Sequence, residues 1–177
     1  MNYLAHIFLS GKNREIQIGN FVGDAVKGRT YENYPSGFRE GILLHREIDD
    51  YTDHHLVVRE AIDMLRGDFG RYSGRSLRWF ACSFYGALVL NYRYLPERFK
   101  GFLWHFILTN RLVRYASLSG IKRSLEIMVE YKNLGVDPEA AIVFFERNQD
   151  RLQELFDRFL PDVQEKCRLM LEADISC

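Results

Sequence analysis

Cysteine is scarce and unpatterned: the chain has three, Cys82, Cys167 and Cys177. An odd number without CxxC spacing, the last of them terminal, excludes a disulfide framework and a thiolate zinc knuckle. The expected compartment is the reducing cytoplasm. Net charge is missing too. Lys plus Arg and Asp plus Glu both number 24, so no overall field draws the protein to nucleic acid or a membrane surface, and neither is expected as a partner. Long hydrophobic runs are also absent. The strongest, Leu103 to Leu108, contains His105 and is flanked by Lys100 and Arg111, far short of the ~20 apolar residues a membrane span needs. It reads as a buried helix, with His105 in its core. The first six residues, Met1 to His6, lack the basic-then-apolar order of a signal peptide, so no export is expected.

What is present is ordinary globular material: 47% hydrophobic and 27% charged residues in 177. A chain of that length fits one domain, which buries about two-thirds of the surface of its unfolded form. Alternating strand patterns, repeats and linkers do not occur, and the periodicity predicts a single-domain, all-α helical bundle. A short helix is expected over 2–10 and a second from Ile16 to Val26, closed by Lys27-Gly28. A third opens at Tyr34-Pro35-Ser36 and meets a kink or loop at Thr52-Asp53-His54-His55. Helical spacing resumes from Val57 to Leu65 and stops at Gly67, Gly70 and Gly74. Residues 76–94 and 97–115 form two aromatic-rich helices divided by Pro96. Ser117 caps 118–132, Asp137-Pro138 starts the next helix, and a break is expected at Pro161 before the end near Ala173.

Four of the five histidines fall in the first 55 residues, together with Asp24, Asp49, Asp50 and Asp53. On a helix, residues four apart share a face, so His45 and Asp49 project together and Asp53 extends the row. Imidazole and carboxylate suit Mn, Fe(II), Zn or Mg in differing degrees. An ion held this way serves hydrolysis, with a spare carboxylate or imidazole moving the proton; Asp53 and His55 are the candidates for that role. Asp24 lies between apolar neighbours and needs a partner, a metal or an arginine. Each residue also has an ordinary reading: a hydrogen-bonded core histidine for His6, a cap or buried ion pair for Asp24, and a surface helix pair for His45 and Asp49. His54 is expected to face solvent.

Ordered motifs add specificity. Met1-Asn2-Tyr3-Leu4-Ala5-His6, Gly19-Asn20-Phe21-Val22-Gly23-Asp24, Val26-Lys27-Gly28, Gly41-Ile42-Leu43-Leu44-His45-Arg46-Glu47-Ile48-Asp49 and Tyr51-Thr52-Asp53 together resemble the acyl carrier protein phosphodiesterase family. The resemblance implies an all-helical fold related to HD-domain phosphohydrolases and a divalent metal, typically manganese. It also implies hydrolysis of the phosphodiester joining 4'-phosphopantetheine to a serine of acyl carrier protein. By position it makes His6, Asp24, His45 and Asp49 the metal-site residues, with Asp24, Asp49 and Asp53 in the chemistry. Carrier proteins of this type are acidic, so a basic docking surface is expected, supplied by Lys27, Arg29, Arg39 and Arg46.

One departure stands out. Relatives carry an Asp-His motif on a helix after the glycine-rich segment, whereas Arg75 to Tyr94 contains no Asp, Glu or His, as though the chain were shortened after Gly74. Two alternatives follow: a phosphohydrolase acting on a nucleotide or another small phosphodiester, and a catalytically silent homologue that still binds a carrier.

Overall fold

The computed structural model describes residues 3–64, 74–114, 117–132 and 137–173. Among them every regular element is helical: α1 (Tyr3–Leu9), α2 (Arg14–Val22), α3 (Ser36–His54), α4 (Leu56–Met64), α5 (Gly74–Leu90), α6 (Glu97–Leu108), α7 (Arg111–Arg114), α8 (Leu118–Lys132), α9 (Pro138–Arg147) and α10 (Gln149–Ala173). The all-α class agrees with the sequence pattern. No helix among the described residues is long and apolar enough to cross a membrane.

Several starts follow the predicted chemistry. The Asp137 side chain accepts the Glu139 N–H and Pro138 takes the first turn of α9, while Ser117 Oγ accepts the Gly120 N–H at 3.2 Å to cap α8. Pro35 and Pro96 stand directly before α3 and α6, where a missing N–H costs nothing.

Elsewhere tertiary packing redraws the boundaries. The second helix ends at Val22, and Gly23–Ala25 tightens into a 3-10 turn, which puts Asp24 on the turn and not on the helix. The polar cluster at 52–55 does not kink α3, which runs through His54 and breaks only at His55. A break absent from the sequence reading comes at Thr109 and Asn110, where Asn110 adopts φ +49°. The Tyr85 hydroxyl holds this turn, donating to Asn110 Oδ1 at 3.2 Å and accepting the Leu112 N–H at 3.1 Å. Pro161 sits inside an uninterrupted α10, because Leu155, Phe159, Val163 and Cys167 bury one continuous stripe across it; the true break is at Asn148. The run from Leu103 to Leu108 is not buried all round. Leu103 and Phe106 face the core, but Trp104, His105 and Leu108 are exposed, which corrects the placement of His105. The stop signals Gly67 and Gly70 and the last cysteine, Cys177, lie outside the described residues. Cys167 is buried, and burial pushes its thiol up to about 12.

α3 is the central beam. Phe38 and Ile42 enter one core with α1, α2, α5 and α6, while Leu44 and Ile48 enter a second with α4 and α10. The stripe between them carries His45 and Asp49. α2 and α3 form the most extensive helix pair because glycine removes side chains from the crossing. A Cβ on Gly41 would lie 2.7 Å from the Asn20 N, and one on Gly19 would lie 3.0 Å from the Gly41 Cα and overlap the Phe38 carbonyl.

Candidate metal centre

Three chain segments meet at one point. α1 contributes His6, the 3-10 turn after α2 contributes Asp24, and α3 contributes His45 and Asp49. The imidazoles of His6 and His45 stack, with centroids 4.1 Å apart and planes inclined by 20°. Asp49 bridges them: Oδ1 lies 3.2 Å from His6 Nε2 and Oδ2 lies 3.3 Å from His45 Nε2. Asp24 Oδ1 approaches His45 Nε2 at 3.6 Å. One donor atom each from His6, His45 and Asp49 falls within 4.8 Å of the others.

Both histidines are buried, Asp49 is about one-third exposed and Asp24 is 63% exposed, so the cluster opens to solvent on its Asp24 side. Neither His6 Nε2 nor His45 Nε2 makes a directed hydrogen bond among the described residues, although carboxylate oxygens stand within 3.2–3.6 Å. Buried polar atoms are otherwise nearly always paired. Two imidazole nitrogens without a directed hydrogen bond among the described residues and a carboxylate converging on one point are what a divalent ion would satisfy, and an N/O donor set without thiolate suits Mn, Fe(II), Zn or Mg. The residues present fit such an ion.

The electrostatics agree. Burial opposes charge on His45, but Asp24 and Asp49 outweigh it and push its pKa up to about 9. Burial, assisted by the His45 charge, keeps His6 below the ordinary imidazole value despite Asp49. Asp49 is held well below the carboxylate range because the two histidines overcome its burial, and His45 lowers Asp24. Without metal, then, a proton on His45 is the cation of the cluster. Its folded pKa lies above the unfolded value near 6.5, so its stabilisation is complete below pH 6.5 and is lost as pH rises to about 9. Metal uptake must displace that proton, which gives the opposite trend. Across this window the thermal midpoint of the metal-free protein should fall, while apparent metal affinity rises by about tenfold per pH unit. Melting curves and calorimetric titrations at stepped pH read both.

Other predicted residues go elsewhere. Asp53 is exposed one turn beyond Asp49. His55 is committed to structure: Nδ1 accepts the Val57 N–H and Nε2 faces Asp162 Oδ2, each at 3.2 Å, tying α4 to α10. Its place in proton transfer is therefore not supported by geometry. His54 is exposed and paired with Asp50 on its own helix. Lys27 and Arg39 are exposed and Arg29 pairs with Glu32. Arg46 instead donates to the carbonyls of Val26 and Gly28 at 3.0 and 2.7 Å and stacks on Tyr31, shaping the loop beside Asp24. Sequence reasoning assigned no site role to Asn20, Gly23 or Thr52. Asn20 accepts the His45 Nδ1–H on its backbone carbonyl at 2.8 Å. Gly23 leaves the space that the His45 ring fills. Thr52, on the same face as His45 and Asp49, has a buried hydroxyl without a partner among the described residues. The signal available was a polar residue or glycine on the apolar stripe of a helix.

The family pattern described as "Acyl carrier protein phosphodiesterase" matches residues 1–77 and 64–163. The chain is 26% identical to the "Acyl carrier protein phosphodiesterase" of Yersinia pestis over 189 residues, covering 95% of this chain and 98% of the relative. It is 27% identical over 190 residues to the protein of the same name from Photorhabdus laumondii, covering 94% of each. A Salmonella agona protein of that name is 38% identical over 77 residues, 44% of this chain and 40% of the relative. No solved structure matches. The 189 aligned positions exceed the 177 residues here, so the alignment opens gaps in this chain. The two stretches matching the family pattern overlap at 64–77.

Proposed function

This chain belongs to the acyl carrier protein phosphodiesterase family and is an enzyme of that kind, and from that premise we propose that it removes 4'-phosphopantetheine from holo acyl carrier protein with the aid of a divalent ion, manganese first among the candidates. The observation that carries the metal half is the convergence of His6 Nε2, His45 Nε2 and the Asp49 carboxylate, with neither nitrogen in a directed hydrogen bond among the described residues. Water adds across the bond between phosphorus and the serine oxygen; the carrier regains its hydroxyl and phosphopantetheine leaves with the phosphate. A divalent ion supplies neutralisation of charge developing on phosphoryl oxygens and acidity for the attacking water.

The chain's own groups do the rest. His6, His45 and Asp49 would hold the ion, and Asp24, on the exposed edge, would complete the set while facing the incoming phosphodiester. A carboxylate at that edge is placed to take the proton released by water; Asp53 is the other acid on this side of α3. Lys27, Arg29 and Arg39 offer positive charge toward an acidic carrier, with Arg46 holding the loop that presents Lys27.

One second reading has its own observation. The alignment to the relative opens gaps in this chain, and α5 begins the stretch without Asp, Glu or His, which fits a silent carrier-binding homologue. Mass spectrometry separates the two. Protein incubated with Mn2+ and holo carrier should convert it to the apo form, and chelation should stop the reaction. Folded, metal-loaded protein that leaves holo carrier intact would favour the silent reading, while cleavage of small phosphodiesters alone would redirect the substrate.

A further inference from the structure

We propose that Asn20 is the positioning residue of this centre: a single buried asparagine on α2 aligns two histidines from different helices so that both Nε2 atoms face one ion. The inference rests on the metal reading above. Asn20 is wholly buried, and its polar groups are directed at the two histidines and their supports. The carboxamide Nδ2 donates to the His6 carbonyl at 3.1 Å and to Ser10 Oγ at 2.8 Å, and Ser10 Oγ donates to the same His6 carbonyl at 2.8 Å. These bonds fix the rotation of α1 on α2 and with it the direction of His6. The backbone carbonyl of Asn20 accepts from His45 Nδ1 at 2.8 Å, with Oδ1 at 3.2 Å. A proton held on Nδ1 leaves Nε2 as the ligating nitrogen.

That carbonyl takes two donors at the end of α2. In a continuing α-helix the Asn20 oxygen would accept the N–H of residue 24; here the Gly23 N–H takes it in a tighter turn. A Cβ on Gly23 would lie 2.5 Å from His45 Cβ and 2.7 Å from Cδ2, so glycine lets the imidazole reach the exposed lone pair. A role confined to tying α1 to α2 would need the carboxamide alone. The backbone bond to His45, on a third helix, is what links Asn20 to the ion.

The test uses Zn2+ alone as probe, with calorimetry and 15N spectra of histidine-labelled protein. The Zn-loaded parent should show His45 protonated on Nδ1 and ligated through Nε2. Asn20→Ala, retaining its helical circular dichroism, should bind Zn2+ about 10–100-fold more weakly and keep the His45 Nδ1–H, since the backbone carbonyl survives. Gly23→Ala should weaken binding and lose that Nδ1–H signal. A parent that binds Zn2+ through His45 Nδ1 would overturn the inference, and that spectrum requires no variant to fold. So would a folded Asn20→Ala binding within about threefold of the parent. A folded parent that takes up no ion overturns the metal reading itself, which separates the two failures.

Discussion

His45→Ala should lower phosphopantetheine release by about 10³-fold, or about 4 kcal/mol of transition-state stabilisation. The substitution removes more than one donor. His45 is the cation that Asp24 and Asp49 share in the metal-free protein, at 3.6 and 3.3 Å, and it occupies the Asn20 carbonyl. Without it two carboxylates lose the cation they share, and the Asn20 carbonyl keeps only the Gly23 N–H. Metal affinity should fall along with the rate. The control is His54→Ala: an exposed histidine on the same helix, paired with Asp50, should leave both unchanged. Steady-state assay with holo carrier and Mn2+, alongside metal titration, reads the pair. Equal rates for His45→Ala and the parent would remove His45 from the site.

Phe21→Ala should cost about 3–5 kcal/mol of folding stability. Phe21 is fully buried, and among the described residues its ring meets Tyr3 at 5.0 Å, Phe84 at 5.5 Å, Phe99 at 5.1 Å and Phe106 at 5.0 Å between centroids. Those rings come from α1, α5 and α6, so one truncation opens a cavity where four helices join, and the edge-on contacts are lost with it. Trp104→Ala is the instructive contrast. Its larger side chain is 54% exposed, and its removal should cost no more than about 0.5 kcal/mol. Urea unfolding midpoints compare the two directly, and a Phe21→Ala midpoint within error of the parent would contradict the packing described here.

The helical class, most helix starts and the stripe carrying His45 and Asp49 could be read from the sequence, because capping residues and three-to-four spacing are local signals. What could not be read was set by contacts distant in sequence. Pro161 looked like a breaker, but an apolar stripe packed on α3 and α4 carries α10 through it. His105 looked like core because its neighbours are apolar, yet the phase of α6 turns it outward. The motifs brought His6, Asp24, His45 and Asp49 onto one list; they could not say that Asp24 leaves its helix to reach the rim, nor that His55 spends both ring nitrogens on α4 and α10. Asn20 was hidden for a related reason. Its contact with His45 runs through a backbone carbonyl, which side-chain identity does not encode.

The claim that two histidines and Asp49 form a metal centre is tested most directly by diffraction from crystals soaked in Mn2+, recorded at a wavelength where manganese scatters anomalously. The structure predicts one strong peak within bonding distance of His6 Nε2, His45 Nε2 and an Asp49 oxygen. Fully soaked crystals with no peak there, or with the ion bound only elsewhere, would contradict it.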